Sequence, residues 1–102
     1  MSIINIIATL HVKNEVLDDV KSEMKRLVPL SLSEKGCIKY CLHEVVEGDL
    51  GVGNTGGQFV VIEKWEDIES LNEHAKSEHF TNFINNFSES ELRITVQMIK
   101  EI

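Results

Sequence analysis

Little in this sequence advertises a specialised site. Among 102 residues there are two cysteines, one proline, one tryptophan and one tyrosine, and no apolar run approaches the roughly 20 residues of a membrane span. The N-terminus lacks a basic stretch followed by a hydrophobic one, so a cytoplasmic protein with no membrane contact is expected. Positive charge is scarce: 10 Lys and Arg stand against 17 Asp and Glu, a net charge of -7 at pH 7. Phosphate backbones are bound by clustered basic faces. Here the basic residues are scattered, and Lys21, Lys25 and Arg26 read as the solvated side of a helix, so no nucleic-acid partner is expected. Cys37 and Cys41 lie four apart in a segment with strand character, about 13 Å at about 3.3 Å per residue, whereas a disulfide needs Cα atoms within about 7 Å. They read as ordinary buried thiols of a reducing compartment. Neither falls in a recognisable catalytic motif, and no serine sits on a strand-to-helix elbow.

What is present is an ordinary globular composition, 42% hydrophobic and 26% charged, which argues against disorder and suits a single domain over residues 1–102. Residues 3–12 are short, β-branched and nearly continuously apolar, which predicts a strand. Asn14 is a candidate N-cap for an amphipathic helix carrying Val16, Val20, Met24, Leu27 and Val28 on one face. Pro29 should kink that helix or end its regular part, and Gly36 should close the segment. Residues 37–46 and 58–65 read as two further strands. Asp67 can cap a short helix and Ser77 its continuation, in which Phe80, Phe83, Ile84 and Phe87 form an apolar stripe. Residues 92–102 give a last strand. The order β-α-β-β-α-β predicts an α+β, ferredoxin-like domain.

Two helices cover one face of a four-stranded sheet. Yet Ile3, Ile4, Ile6 and Ile7, and again Phe59, Val60, Val61 and Ile62, are apolar at odd and even positions alike. One wet face would impose alternation. Leaving a second apolar face exposed costs about 25 cal/mol per Å², and an identical sheet across a two-fold axis covers it most simply. A homodimer through the sheet face is therefore expected.

Gly51, Gly53 and Gly56 make a formal GxGxxG, but a dinucleotide fingerprint ends a strand and opens a helix, whereas these glycines lead into a strand. Residues 47–57 read as a hairpin loop, with a role over a pocket entrance left open. His74 and His79 are five apart, not the i, i+4 spacing that sets two helical histidines on one metal, and His11 and His43 have no evident partners. No metal is expected. Trp65 at a strand end, Phe80 and Phe83 on a helix, and two histidines at a helix junction can enclose an apolar cavity with titratable groups at its rim. The same residues also suit plain core and capping roles.

At this segment the sequence resembles the antibiotic biosynthesis monooxygenase domain family, which includes a bacterial quinol monooxygenase. The residues that carry the resemblance are Glu34-Lys35-Gly36-Cys37 with Tyr40, the run Phe59 to Asp67 with its Glu63-Lys64-Trp65, then Leu71, His74 and Ser77-Glu78-His79-Phe80. The element order matches over essentially the whole chain. The resemblance implies a dimeric α+β barrel with a pocket between sheet and helices in each subunit. It also implies oxygenation of a small aromatic or quinol-like molecule with no flavin, haem or metal cofactor. On that reading His79 is the first candidate base and His74 the second, since imidazole with its ordinary pKa near 6.5 suits proton removal at pH 7. Glu63, Trp65, Phe80 and Phe83 would form the substrate pocket, and Asn5 would hydrogen-bond a developing oxyanion. Relatives of the same fold imply rivals. Haem degraders use a first-strand asparagine, the tryptophan and a helix histidine, but the iron-ligand position falls near Ile84, which binds no iron. Isomerases of a phosphorylated ketone related to autoinducer-2 would need a basic residue at the pocket, for which Lys64 and Arg93 are the nearby choices. A non-catalytic, ligand-binding dimer is the third alternative.

Overall fold

The β-branched run at the N-terminus forms β1 (Ile4–Val12), followed by a 3-10 turn over Asn14–Val16 and helix α1 (Leu17–Leu32). Next come β2 (Cys37–Glu44), β3 (Phe59–Trp65), α2 (Ile68–Lys76), α3 (Glu78–Asn85) and β4 (Leu92–Ile99). This computed structural model describes residues 3–46 and 56–102. The sequence reading of residues 47–55 as a loop thus lies outside the described residues.

The strands form one antiparallel sheet in the order β2-β3-β1-β4, with all helices on one side, which is the ferredoxin-like α+β arrangement expected. Register follows side-chain parity. Ile4 pairs with Trp65, Ile6 with Glu63, Ala8 with Val61 and Leu10 with Phe59, and these even positions of β1 face the helices. Val20, Met24, Leu27 and Ser31 of α1 are buried against them at intervals of three and four.

Three local expectations are revised. Asn14 does not cap α1: the chain first makes a 3-10 turn through Val16 N–H to Lys13 C=O (3.1 Å), and the helix starts at Leu17 without a side-chain cap. Of the two outcomes expected at Pro29, a kink or an end, the end does not occur: α1 runs three residues beyond it to Leu32. The last strand stops at Ile99 rather than Ile102, because its partner β1 supplies no pairing beyond Asn5. Gly36 closes the turn after α1 with φ +86, and a Cβ there would lie 2.0 Å from Ser70 Oγ. Only glycine lets this turn sit so close to α2.

Candidate functional site

Between the helices and the inner face of the sheet is a cavity of about 320 Å³. Its sheet side is apolar, with Ile6 and Ala8 of β1, Val61 of β3 and Ile94 and Val96 of β4, interrupted by Tyr40 and Glu63. The helices contribute Met24, Leu71, Asn72, His74, Phe80 and Phe83. Past Phe80, Ile94 and Val96 it continues into an apolar groove of about 400 Å³ along α3 and β4.

His74 reaches this wall because of where α2 begins and ends. Asp67 accepts from Ser70 N–H (2.8 Å) and starts the helix. Ser77 ends it, its N–H and hydroxyl both donating to His74 C=O (3.1 and 2.7 Å). The same Ser77 hydroxyl then accepts from Phe80 N–H (3.4 Å) and starts α3. The break turns the chain so that His79 returns alongside His74, with ring centroids 6.3 Å apart. Helical spacing therefore does not govern this pair, and the i, i+4 argument against their convergence fails.

Both histidines meet at Glu34, in the turn that Gly36 closes. Glu34 Oε2 lies 2.7 Å from His74 Nδ1 and 2.9 Å from His79 Nε2. A carboxylate only accepts, so each of these nitrogens carries a proton and donates it. Neutral His74 then has its lone pair on Nε2, which has no hydrogen-bond partner among the described residues. Its ring is held by Trp65, Phe80 and Tyr40, at centroid distances of 4.8, 4.9 and 5.3 Å. Only 5% of the His74 side chain is exposed. The result is a carboxylate-oriented imidazole in an apolar wall.

Glu63 is the second buried ionisable group at the cavity. Burial pushes its pKa up, while the Trp65 indole N–H it accepts (3.0 Å) and the nearby His74 pull it partly back. Burial, with Glu63 beside it, also pushes the Tyr40 phenol well above its ordinary value, so Tyr40 stays a hydrogen-bond donor. Burial raises the Cys37 thiol to about 11, which leaves it a poor nucleophile at neutral pH.

The expected site residues thus divide. His74, Glu63, Phe80 and Phe83 line the cavity. His79 does not; it stands behind His74 on Glu34. Trp65 is fully buried but also outside the lining, acting as a backing for His74 and a donor to Glu63. Asn5 belongs to the opposite face, since it alternates with Ile4 and Ile6 and pairs with Lys64. It cannot reach an oxyanion in this cavity. Glu34 was given no role from the sequence, because 40 residues separate it from His74 and no spacing rule connects them.

With this geometry in view, the comparisons are decisive. The profile of the antibiotic biosynthesis monooxygenase family matches residues 3–86. The chain belongs to that family. It is 36% identical over 77 residues, 76% of this chain and 74% of the other, to the Bacillus subtilis (strain 168) protein named Putative monooxygenase YcnE. It superposes on a crystal structure of an antibiotic biosynthesis monooxygenase with a TM-score of 0.76, 29% identity and coverage of 97% and 98% of the two chains. PA3566 from Pseudomonas aeruginosa matches with a TM-score of 0.82, 25% identity and coverage of 100% and 96%. Family membership supports a monooxygenase-like function. No helix among the described residues is long and apolar enough to cross a membrane.

Proposed function

We propose that the protein is a monooxygenase that oxidises a small neutral phenol to a quinone, or a quinol to a hydroxyquinone, with O₂ and no cofactor, working as a homodimer. One observation carries this reading: His74 is part of the wall of an apolar cavity, is oriented by Glu34 through Nδ1, and has no hydrogen-bond partner for Nε2 among the described residues. Nε2 takes the proton of a substrate hydroxyl, and Glu34 stabilises the imidazolium that forms. The electron-rich anion left behind then reacts with O₂ directly. For a quinol the balance closes: one oxygen atom enters the ring, the other leaves as water, and the substrate supplies the two remaining electrons by becoming a hydroxyquinone. At about 320 Å³ the cavity sits at the small end of the range for ligand pockets, ~300–1,000 Å³, and suits one small ring system with no nucleotide cofactor beside it.

Charge weighs against the phosphorylated-ketone alternative. No Lys or Arg lines the cavity. Lys64 pairs with Asn5 and Arg93 with His11, so both belong to the opposite face of the sheet. Haem degradation finds no better support, since Ile84 is partly exposed on α3 and offers no ligand atom. The homodimer is supported by that opposite face, where Ile7, Val60 and Ile62 of the central strands are only half-buried and no helix among the described residues lies over them.

The test is oxygen uptake by metal-free protein against a panel of quinols and polyphenols. Uptake above the autoxidation blank is expected, falling about 10²- to 10⁴-fold in His74→Asn, the range a positioned base supplies. Equal uptake by the variant, or none by the native protein, overturns the reading. Turnover that persists under nitrogen would instead indicate an isomerase.

A further inference from the structure

Glu34, His74 and His79 do more than orient one another. Their donor atoms, Oε2, Nδ1 and Nε2, all lie within 4.8 Å of one another. Two imidazole nitrogens and one carboxylate oxygen are the donor set of an open, three-ligand site for a divalent first-row transition ion, with the fourth position left to water. In a tetrahedral zinc site, donors about 2.1 Å from the ion are about 3.4 Å apart. Here Glu34 Oε2 is 2.7 and 2.9 Å from the nitrogens, so admitting an ion needs side-chain shifts of about an ångström.

A separate feature points the same way. On the solvent side of Glu34 is a hollow of about 440 Å³ walled by Glu34, Lys35, Asp67, Glu69, Ser70 and Glu73. Four carboxylates face one ammonium group there, on a chain of net charge -7. The field of such a hollow concentrates cations and repels anions. The side chains of Glu34 and His79 are 15% and 23% exposed, so an ion can reach them without crossing the apolar cavity.

We propose that Glu34, His74 and His79 bind one divalent ion of the zinc class, entering through the acidic hollow, and that occupancy silences His74 as a base. The second half rests on the proposed function and follows from tautomer chemistry. The ion replaces the proton on His74 Nδ1. A neutral imidazole bound through Nδ1 keeps its single proton on Nε2, so the lone pair at the cavity disappears. The donors that activate the base without metal are the donors that disable it with metal.

Calorimetric titration of the metal-free full chain with Zn²⁺, and with Co²⁺ as a visible-absorption probe, tests binding without reference to catalysis. One ion per chain is expected, weakened at least about tenfold in His79→Gln, because losing even a ligand's outer-shell partner costs 10- to 100-fold. Glu34→Gln should do the same, provided circular dichroism shows it folded. His43→Gln, exposed on β2, should bind like the native chain. A Kd weaker than about 1 mM, or equal binding by native protein and His79→Gln, overturns the site. In the oxygen assay Zn²⁺ should suppress uptake over the concentration range in which it binds, and a chelator should restore it. Binding without suppression overturns the silencing alone. A chain that takes up no oxygen but binds zinc at these residues removes the proposed function and leaves the metal site standing.

Discussion

At the scale of single residues, the site is a set of buried polar groups, each holding another in place. Glu34 fixes the tautomer of His74, while Trp65 donates to Glu63 and packs against the His74 ring. Glu63 carries a pH signature that can be measured. Its folded-state pKa is raised by burial, so the folded chain holds its proton to a higher pH than the unfolded chain does. Stability from this group is therefore fully present below the unfolded value, about 4.3, and is lost as pH rises through the folded value. Glu63→Gln keeps an oxygen to accept the Trp65 N–H and removes the titration. The variant should melt close to the native protein at pH 4 and above it at pH 7. A pH-independent difference between the two melting temperatures would contradict the assignment. Glu63 was legible as a site residue because it stands two before Trp65 on one strand. Asn5 was misplaced although parity was available: it is odd on a strand whose even residues face the helices. Glu34 is legible only as part of the family resemblance, and its role at the histidines is not, since the contact that gives it one is made by tertiary packing.

At the scale of elements, sequence and structure agree where local chemistry decides and diverge where the backbone has alternatives. The β-branched strands and the amphipathic α1 follow from alternation and helical period. Asn14 fails as a cap because the backbone satisfies that turn in the 3-10 form instead. The most consequential element is the break between α2 and α3, and it was readable from Asp67 and Ser77. Its consequence was not: the same break that separates the helices brings His79 to Glu34, which a spacing rule for one continuous helix cannot foresee. Ser77 stabilises both sides of the break, donating to His74 C=O and accepting from Phe80 N–H. Ser77→Ala should cost about 1 kcal/mol, the usual value of a lost N-cap. In a chain of this size that is a fall of roughly 4–8 °C in Tm. It should also reduce oxygen uptake more than the stability loss accounts for, because the end of α2 positions His74. A thermal shift with unchanged uptake would show that the cap serves folding alone.

At the scale of the whole molecule, thickness is the telling quantity. The chain measures 38 × 35 × 20 Å, and 20 Å is the depth of one sheet plus one layer of helices. Among the described residues, nothing therefore covers the second face of the sheet. That face is less uniformly apolar than the continuous runs in the sequence suggest. Ile7, Val60 and Ile62 form its centre, while β4 contributes Arg93, Thr95 and Gln97 and β2 contributes Cys41 and His43. An apolar centre with a polar margin is the composition of a protein interface rather than of a core. On β4, Val96 and Met98 are also 60% and 58% exposed, although they lie on the side that carries the helices. A second copy of the chain meeting the first through the sheet would bury the central isoleucines symmetrically, over the roughly 800 Å² per partner typical of a stable interface. Ile62 is the place to test this, because its side chain has no role in the cavity. Ile62→Lys would set two ammonium groups against the apolar centre of such an interface, with no carboxylate opposite in β1 or β3. Light scattering should find the native protein dimeric at micromolar concentration and the variant monomeric, with a lower Tm that no longer depends on protein concentration. A native chain that remains a folded monomer under those conditions would remove the dimer, while the Glu34–His74 arrangement, built within one chain, would stand.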